Sequence, residues 1–238
     1  MRDAGLDHVR IPFGYWAALK IPGEDEPYVF QVQWRYLLRA IEYCRKYGLR
    51  VKLDLHAVPG GANGWNHSGR LGRIEWLNGV NGDMYGKMTL ELHRNMSTFF
   101  AQPRYRNVVT MYGLVNEPRM TVLDRTKVVT WSKQAYQIVR GNGYSGKIVF
   151  GDGFLGLEKW KGEFKGLDGM VLDVHQYVIF NTGQIAQTHE GKVQLACKKW
   201  TADLLASSDT GTGFGPTMVG EWGQADTDCT PFLNNVSF

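Results

Sequence analysis

The residues in this chain best placed to do chemistry stand where apolar runs stop. Leu114-Val115 gives way to Asn116-Glu117-Pro118, and Thr217-Met218-Val219-Gly220 gives way to Glu221. Pro118 has no N–H to give a ladder and biases Glu117 away from helical angles, so a strand should end with Glu117 at its carboxyl edge. Three further apolar stretches end the same way, delivering Arg10, then Asp54 and His56, then His175 and Tyr177. Two carboxyl groups with an arginine, an amide, histidines and a tyrosine can break a glycosidic bond without a metal. One carboxyl protonates the leaving oxygen, and the other, ionised, attacks or directs water.

Competing chemistries lack their motifs. The sequence has no His-Glu-x-x-His, Cys-x-x-Cys or calcium-loop pattern, no Gly-x-Ser-x-Gly elbow and no Gly-x-x-x-x-Gly-Lys-Ser/Thr loop, so no metal site, cofactor, serine nucleophile or nucleotide cradle is implied. Each polar residue also has a packing reading: Arg10 bracing a carboxylate, His56 satisfied in a core, Tyr177 filling space. Their common position at strand ends argues for one pocket, because that is where (β/α) barrels place their sites.

The elements that must position them alternate. Strands are predicted at 8–12, 50–55, 108–115, 148–150, 170–174 and 217–220. Helices are predicted at 32–47, 88–100, 126–140 and 193–205. In the first helix Trp34, Leu37, Leu38, Ile41 and Cys44 share a face, which buries the Cys44 thiol, and Gly48 stands at the C-cap. In the last, Val193, Ala196, Cys197, Trp200 and Leu204 fall in register. Strand–helix alternation predicts a parallel α/β sheet in one domain, with no linker or composition shift. The stretch from Ala57 to about Tyr85 is a long loop rich in Trp, Asn and Gly, read as an active-site wall.

The chain has 238 residues, 43% hydrophobic and 21% charged. No apolar run approaches the roughly 18 residues of a membrane span, and Met1-Arg2-Asp3-Ala4-Gly5 lacks the apolar core of a secretory signal. A formal charge of +4 spread along the chain gives no basic patch for nucleic acid. Eight Trp and eleven Tyr, many beside Gly, Asn and Asp, suit sugar-stacking surfaces. Sequons at Asn66, Asn95 and Asn235 are glycan acceptors only in a secreted chain. Cys44, Cys197 and Cys229 allow one internal disulfide at most.

Five ordered motifs carry a family resemblance: Gly5-Leu6-Asp7-His8-Val9-Arg10-Ile11-Pro12-Phe13-Gly14-Tyr15-Trp16, Leu53-Asp54-Leu55-His56-Ala57-Val58-Pro59-Gly60, Val115-Asn116-Glu117-Pro118, His175-Gln176-Tyr177 and Gly220-Glu221-Trp222. Through them the chain resembles glycoside hydrolase family 5, in the branch of the fungal exo-β-1,3-glucanases (glucan 1,3-β-glucosidases). The segments 63–69 and 225–229 look closer to the branch that includes cell-surface, membrane-anchored members.

The resemblance implies a (β/α)8 TIM barrel and retaining hydrolysis of β-1,3-glucan, poly- or oligosaccharide, from its non-reducing end. Glu117 matches the acid/base and Glu221 the nucleophile, with the two carboxyl groups about 5 to 5.5 Å apart. Arg10 and Tyr177 match groups that hold Glu221, and Asn116 the residue that binds the sugar 2-hydroxyl. His56, His175 and Asp54 match the lining. Trp65 and Phe180 match an aromatic clamp at the entrance, and Trp222 adds a further ring on the substrate side. Lichenan, β-1,6-glucan, a glucosylated lipid, or sugar binding without catalysis remain open.

The six strands match strands two to seven of such a barrel. The expectation is therefore a single catalytic domain lacking the first and last strands, a fragment of a longer protein that is a monomer when complete. Its place would be outside the cell or at the wall, with any signal or membrane anchor beyond these residues. Cys197 with Cys229 is one pairing open to it.

Overall fold

The computed structural model describes residues 1–21, 23 and 26–225. Asp226 to Cys229 and the Asn235 sequon lie outside the described residues, so the Cys197–Cys229 pairing and part of the branch placement fall there too. The described residues form two compact units, 1–155 with 166–171, and 156–165 with the residues from 172 onward.

The first unit runs β1 (His8–Gly14), α1 (Val32–Lys46), β2 (Arg50–Ala57), α2 (Gly82–Phe100), β3 (Val109–Gly113), α3 (Arg125–Gly141) and β4 (Lys147–Gly151). Its strand pairs are all parallel, with Arg10 opposite Lys52, Pro12 opposite Asp54, and Asp54 opposite Gly113. Val51, Leu53 and Leu55 fill one face of β2, and Lys52 and Asp54 on the other face are buried as well. A strand covered on both faces is what a parallel α/β sheet requires.

The helices follow from local chemistry. In α1, Leu37, Ile41 and Cys44 are buried as their spacing predicts, and Gly48 takes the left-handed angle (φ 69°) that ends the helix. The Asp124 carboxylate caps α3 by accepting from the Lys127 amide at 3.0 Å. Helix α2 starts six residues before the predicted Met88. Gly82 and Gly86 mask that first turn in a propensity reading, yet both are needed. A Cβ on Gly86 would sit 2.5 Å from the Leu77 side chain, and one on Gly82 2.7 Å from the Leu77 carbonyl carbon.

The second unit holds most of β5 (Met170–Gln176), then α4 (Thr182–Ile185), α5 (His189–Gln194), α6 (Thr201–Ser208) and β6 (Thr217–Trp222). Strands β5 and β6 are parallel, and a register shift after Val174 sets His175 opposite Glu221. The single helix predicted at 193–205 is interrupted by a π-helical turn over Leu195–Trp200. Wider turns rotate the residues beyond them out of a 3.6-residue register. Ala196 and Cys197, within that turn, are exposed, as is Val193 before it, and Ser207 is the buried residue of α6.

Candidate active site

In the first unit the site is built on one buried carboxylate. Asp54 and His56 lie two apart on β2 and so project to the same face. Asp54 Oδ2 accepts from Arg10 Nη2 at 2.8 Å and from His56 Nδ1 at 2.9 Å. Arg10 Nη2 also donates to Asn116 Oδ1, and the Asn116 amide nitrogen lies 3.5 Å from His56 Nε2. Strand β3 ends at Gly113, short of the predicted Val115. Isolated bonds from Leu114 N to Val149 O and from Asn116 N to Leu55 O, both 3.0 Å, carry the chain on to Asn116. Gly151 lets the turn pass, since a Cβ there would meet Asn116 O at 2.6 Å.

Glu117 is approached by the long loop. Asn63 Nδ2 donates to Glu117 Oε2 at 3.4 Å, and His67 Nε2 lies 3.5 Å from the same oxygen. Asn63 Oδ1 accepts from the Trp65 amide at 2.9 Å, and the Ser68 hydroxyl donates to Trp65 O at 2.8 Å. The loop is thus folded on its own side chains, with a 3-10 turn at Asn66–Ser68. It is also tied to the β1–α1 segment, because the Tyr28 hydroxyl donates to Gly69 O and Tyr28 stacks on Trp16 at 3.8 Å. Trp65 packs edge-on against Phe154 at 5.2 Å, with the Arg119 guanidinium 5.3 Å from its ring centre. That cation–π contact fixes the indole plane.

In the second unit Glu221 has its own set. The Tyr177 hydroxyl donates to Glu221 Oε2 at 3.2 Å, and His175 Nδ1 lies 3.5 Å from that oxygen. On the far side of the ring, His175 Nε2 faces the buried Asp173 carboxylate at 3.7 Å. Gly220 leaves that carboxylate room, as a Cβ there would meet Asp173 Oδ1 at 2.2 Å. Phe180 packs on Tyr177 at 5.5 Å, and Phe180 and Trp222 are 71% and 65% exposed.

The structure thus joins Arg10, Asp54, His56 and Asn116 in one network, and His175, Tyr177 and Glu221 in another. Trp65, Phe180 and Trp222 keep accessible ring surface. One expectation is corrected: Asp54 does not line the substrate side, for it is 2% exposed and its carboxylate is met by Arg10 and His56. Three residues were not picked out from the sequence. Asn63 and His67 sit inside the loop read as a wall, but no pattern says which of its polar residues turns toward Glu117. Asp173 interrupts an apolar run, a signal that a buried polar contact is made there.

Parallel β/α units with carboxylates, imidazoles, a guanidinium and an amide at the strand ends define a protein of the barrel-hydrolase class. Residues 1–235 match the cellulase (glycosyl hydrolase family 5) family model, and the chain belongs to that family. It is 57% identical over 237 residues to a protein of Aspergillus clavatus named probable glucan 1,3-beta-glucosidase D. It is 55% identical to the glucan 1,3-beta-glucosidase D of Emericella nidulans. Both alignments cover 99% of this chain and 28% of the relative, so the chain spans little more than a quarter of their length. Among solved structures, a rutinosidase from Aspergillus niger aligns with a TM-score of 0.76 at 22% identity, covering 93% of this chain and 62% of that one. A family 5 lichenase from Caldicellulosiruptor sp. F32 aligns at 0.66 and 15%, covering 96% and 66%. These likenesses carry the fold, and six parallel strands alternating with helices agree with an incomplete (β/α)8 barrel.

Proposed function

We propose that this chain carries the catalytic residues of a retaining β-glucosidase that releases glucose from the non-reducing end of β-1,3-glucan. The observation that carries the chemistry is the setting of Glu221, whose Oε2 meets the Tyr177 hydroxyl and the His175 ring. The hydroxyl donating to that oxygen turns the carboxylate, as a nucleophile must be turned. Glu117 is the acid/base. Its Oε2 meets the Asn63 amide and the His67 imidazole.

In the first step Glu117 protonates the glycosidic oxygen while Glu221 attacks the anomeric carbon, forming a glycosyl ester and releasing the shortened glucan. In the second, Glu117 takes a proton from water, which displaces Glu221 and yields glucose with retained configuration. Asn116, turned by Arg10, binds the sugar 2-hydroxyl, and Trp65 and Phe180 supply the flat surfaces for neighbouring sugars. The substrate is supported by the names of relatives 55–57% identical over 99% of the chain. A wall polysaccharide as substrate places the protein outside the cell or at the wall.

Time-resolved proton NMR on laminari-oligosaccharides tests this. The expected first product is β-glucose, and Glu117→Gln should slow its release by about 10²–10⁴-fold, with Glu221→Gln abolishing it. α-Glucose as first product removes the retaining mechanism. Tight binding of the sugar without turnover removes the enzymatic reading.

A further inference from the structure

Asp54 is buried beneath two groups of the sugar site, and the geometry shows what it does there. We propose that Asp54 is a positioning residue that sets the donor and acceptor polarity of the sugar subsite, making it a site for a hydroxyl group; this rests on the glycosidase reading.

An ionised carboxylate only accepts hydrogen bonds. At 2.9 Å from Asp54 Oδ2, His56 Nδ1 therefore carries the ring proton, and in the neutral imidazole Nε2 is left as an acceptor. A guanidinium only donates. Arg10 Nη2 has two hydrogens, and its bonds to Asp54 Oδ2 and Asn116 Oδ1 use both. The Asn116 amide oxygen is thereby assigned to the Arg10 side and its NH2 to the other. One buried oxygen thus decides the tautomer of a histidine directly and the flip of an asparagine through an arginine.

The result is a donor, Asn116 Nδ2, 3.5 Å from an acceptor, His56 Nε2. A sugar hydroxyl fits such a pair, since its oxygen can accept from the amide while its hydrogen goes to the imidazole. An ammonium would repel the amide hydrogens, and a carboxylate would meet the imidazole lone pair. Replacing the carboxylate by an apolar side chain of similar shape, as in Asp54→Leu, removes the acceptor that holds the proton on Nδ1; the change to Asn would not, because its carbonyl oxygen can still face Arg10 and His56. The Nε2–H form is then free to appear, and two donors face the hydroxyl.

The experiment uses the whole chain and two readouts. Histidine ¹⁵N NMR at about pH 8, where an unperturbed imidazole is neutral, should show the Nδ1–H tautomer at His56 in the wild type and Nε2–H in Asp54→Leu. Kinetics on an aryl β-glucoside and its monodeoxy analogues should show kcat in the variant reduced about 10–100-fold on the parent sugar. That penalty should shrink to about threefold or less on the one analogue lacking the hydroxyl the pair meets. An equal penalty across the deoxy series overturns the proposal, as does an Nε2–H tautomer at His56 in the wild type. If Asp54→Leu does not fold, the wild-type tautomer decides. A wild type that cleaves no glucoside removes the glycosidase reading, and the tautomer pair still decides whether Asp54 controls His56.

Discussion

Asn63 spends its two amide atoms in different directions: Nδ2 on Glu117 and Oδ1 on the Trp65 backbone. It is 1% exposed, so truncation would leave the Trp65 amide without its acceptor and take one contact from Glu117. Asn63→Ala should cost about 1–3 kcal/mol of stability and lower kcat along with it, read by thermal unfolding and steady-state kinetics on one preparation. Asn63→Asp is more discriminating, because it keeps the acceptor for the Trp65 amide and adds a like charge beside Glu117. That variant should lower kcat/KM by more than its loss of stability explains, and losses that match would show that Asn63 only holds the loop. The neighbouring His67 is 44% exposed at its side chain, so substitution there should move activity more than stability.

At the scale of elements, strand order and the polar residues at the strand ends were legible, because a strand buried on both faces is apolar until it reaches the site. Glu117, Glu221, His175 and Tyr177 could be read for that reason. What could not be read depended on close approach or on a change of helical pitch. Gly82 and Gly86 argue against helix in isolation and are demanded by Leu77, and the π-helical turn at 195–200 gives no composition signal. Asp54 was placed among the lining residues because alternation gives the face of a strand and not the depth of a side chain. Gly220 belongs to the same class. Gly220→Ala drives a Cβ into the Asp173 carboxylate, from an ideal 2.2 Å, so either that carboxylate, which faces His175, or β6 with Glu221 on it must give way. Overpacking of this kind costs about 1–3 kcal/mol. The fall in kcat should exceed what the fraction unfolded explains, whereas the Tyr28→Phe change should loosen the loop at Gly69 and act mainly on KM. Equal effects of both variants on kcat would contradict this division between the strand that carries Glu221 and the loop that carries Trp65.

Across the whole molecule, charge is spread, and among the described residues no helix is long and apolar enough to cross a membrane. A buried titratable group of α2 packs against β3. His93 of α2 is 1% exposed, its Nδ1 is 2.8 Å from the Tyr112 hydroxyl, and its ring lies 5.5 Å from that of Trp131. Burial pushes its pKa from 6.5 down to about 3, with the Leu114 backbone opposing by less. The folded chain therefore holds His93 neutral over a range in which the unfolded chain protonates it. Its stabilising contribution is complete above pH 6.5 and is lost as pH falls from 6.5 toward about 3, in total on the order of a few kcal/mol. Urea unfolding followed by tryptophan fluorescence, which Trp131 beside His93 and Trp76 packed on Trp131 should report, can measure it between pH 8 and pH 4. His93→Phe strands the Tyr112 hydroxyl and should lower stability by about 1–3 kcal/mol at every pH. Its stability should nevertheless fall less steeply below pH 6.5 than the wild type's, by up to about 1.4 kcal/mol per pH unit. Exposed carboxylates such as Asp7 and Asp209, held low by hydrogen bonds to His8 and to Thr212, titrate alike in both chains and cancel in the comparison. Parallel curves for the two proteins would mean that His93 is not the group through which acid opens this fold.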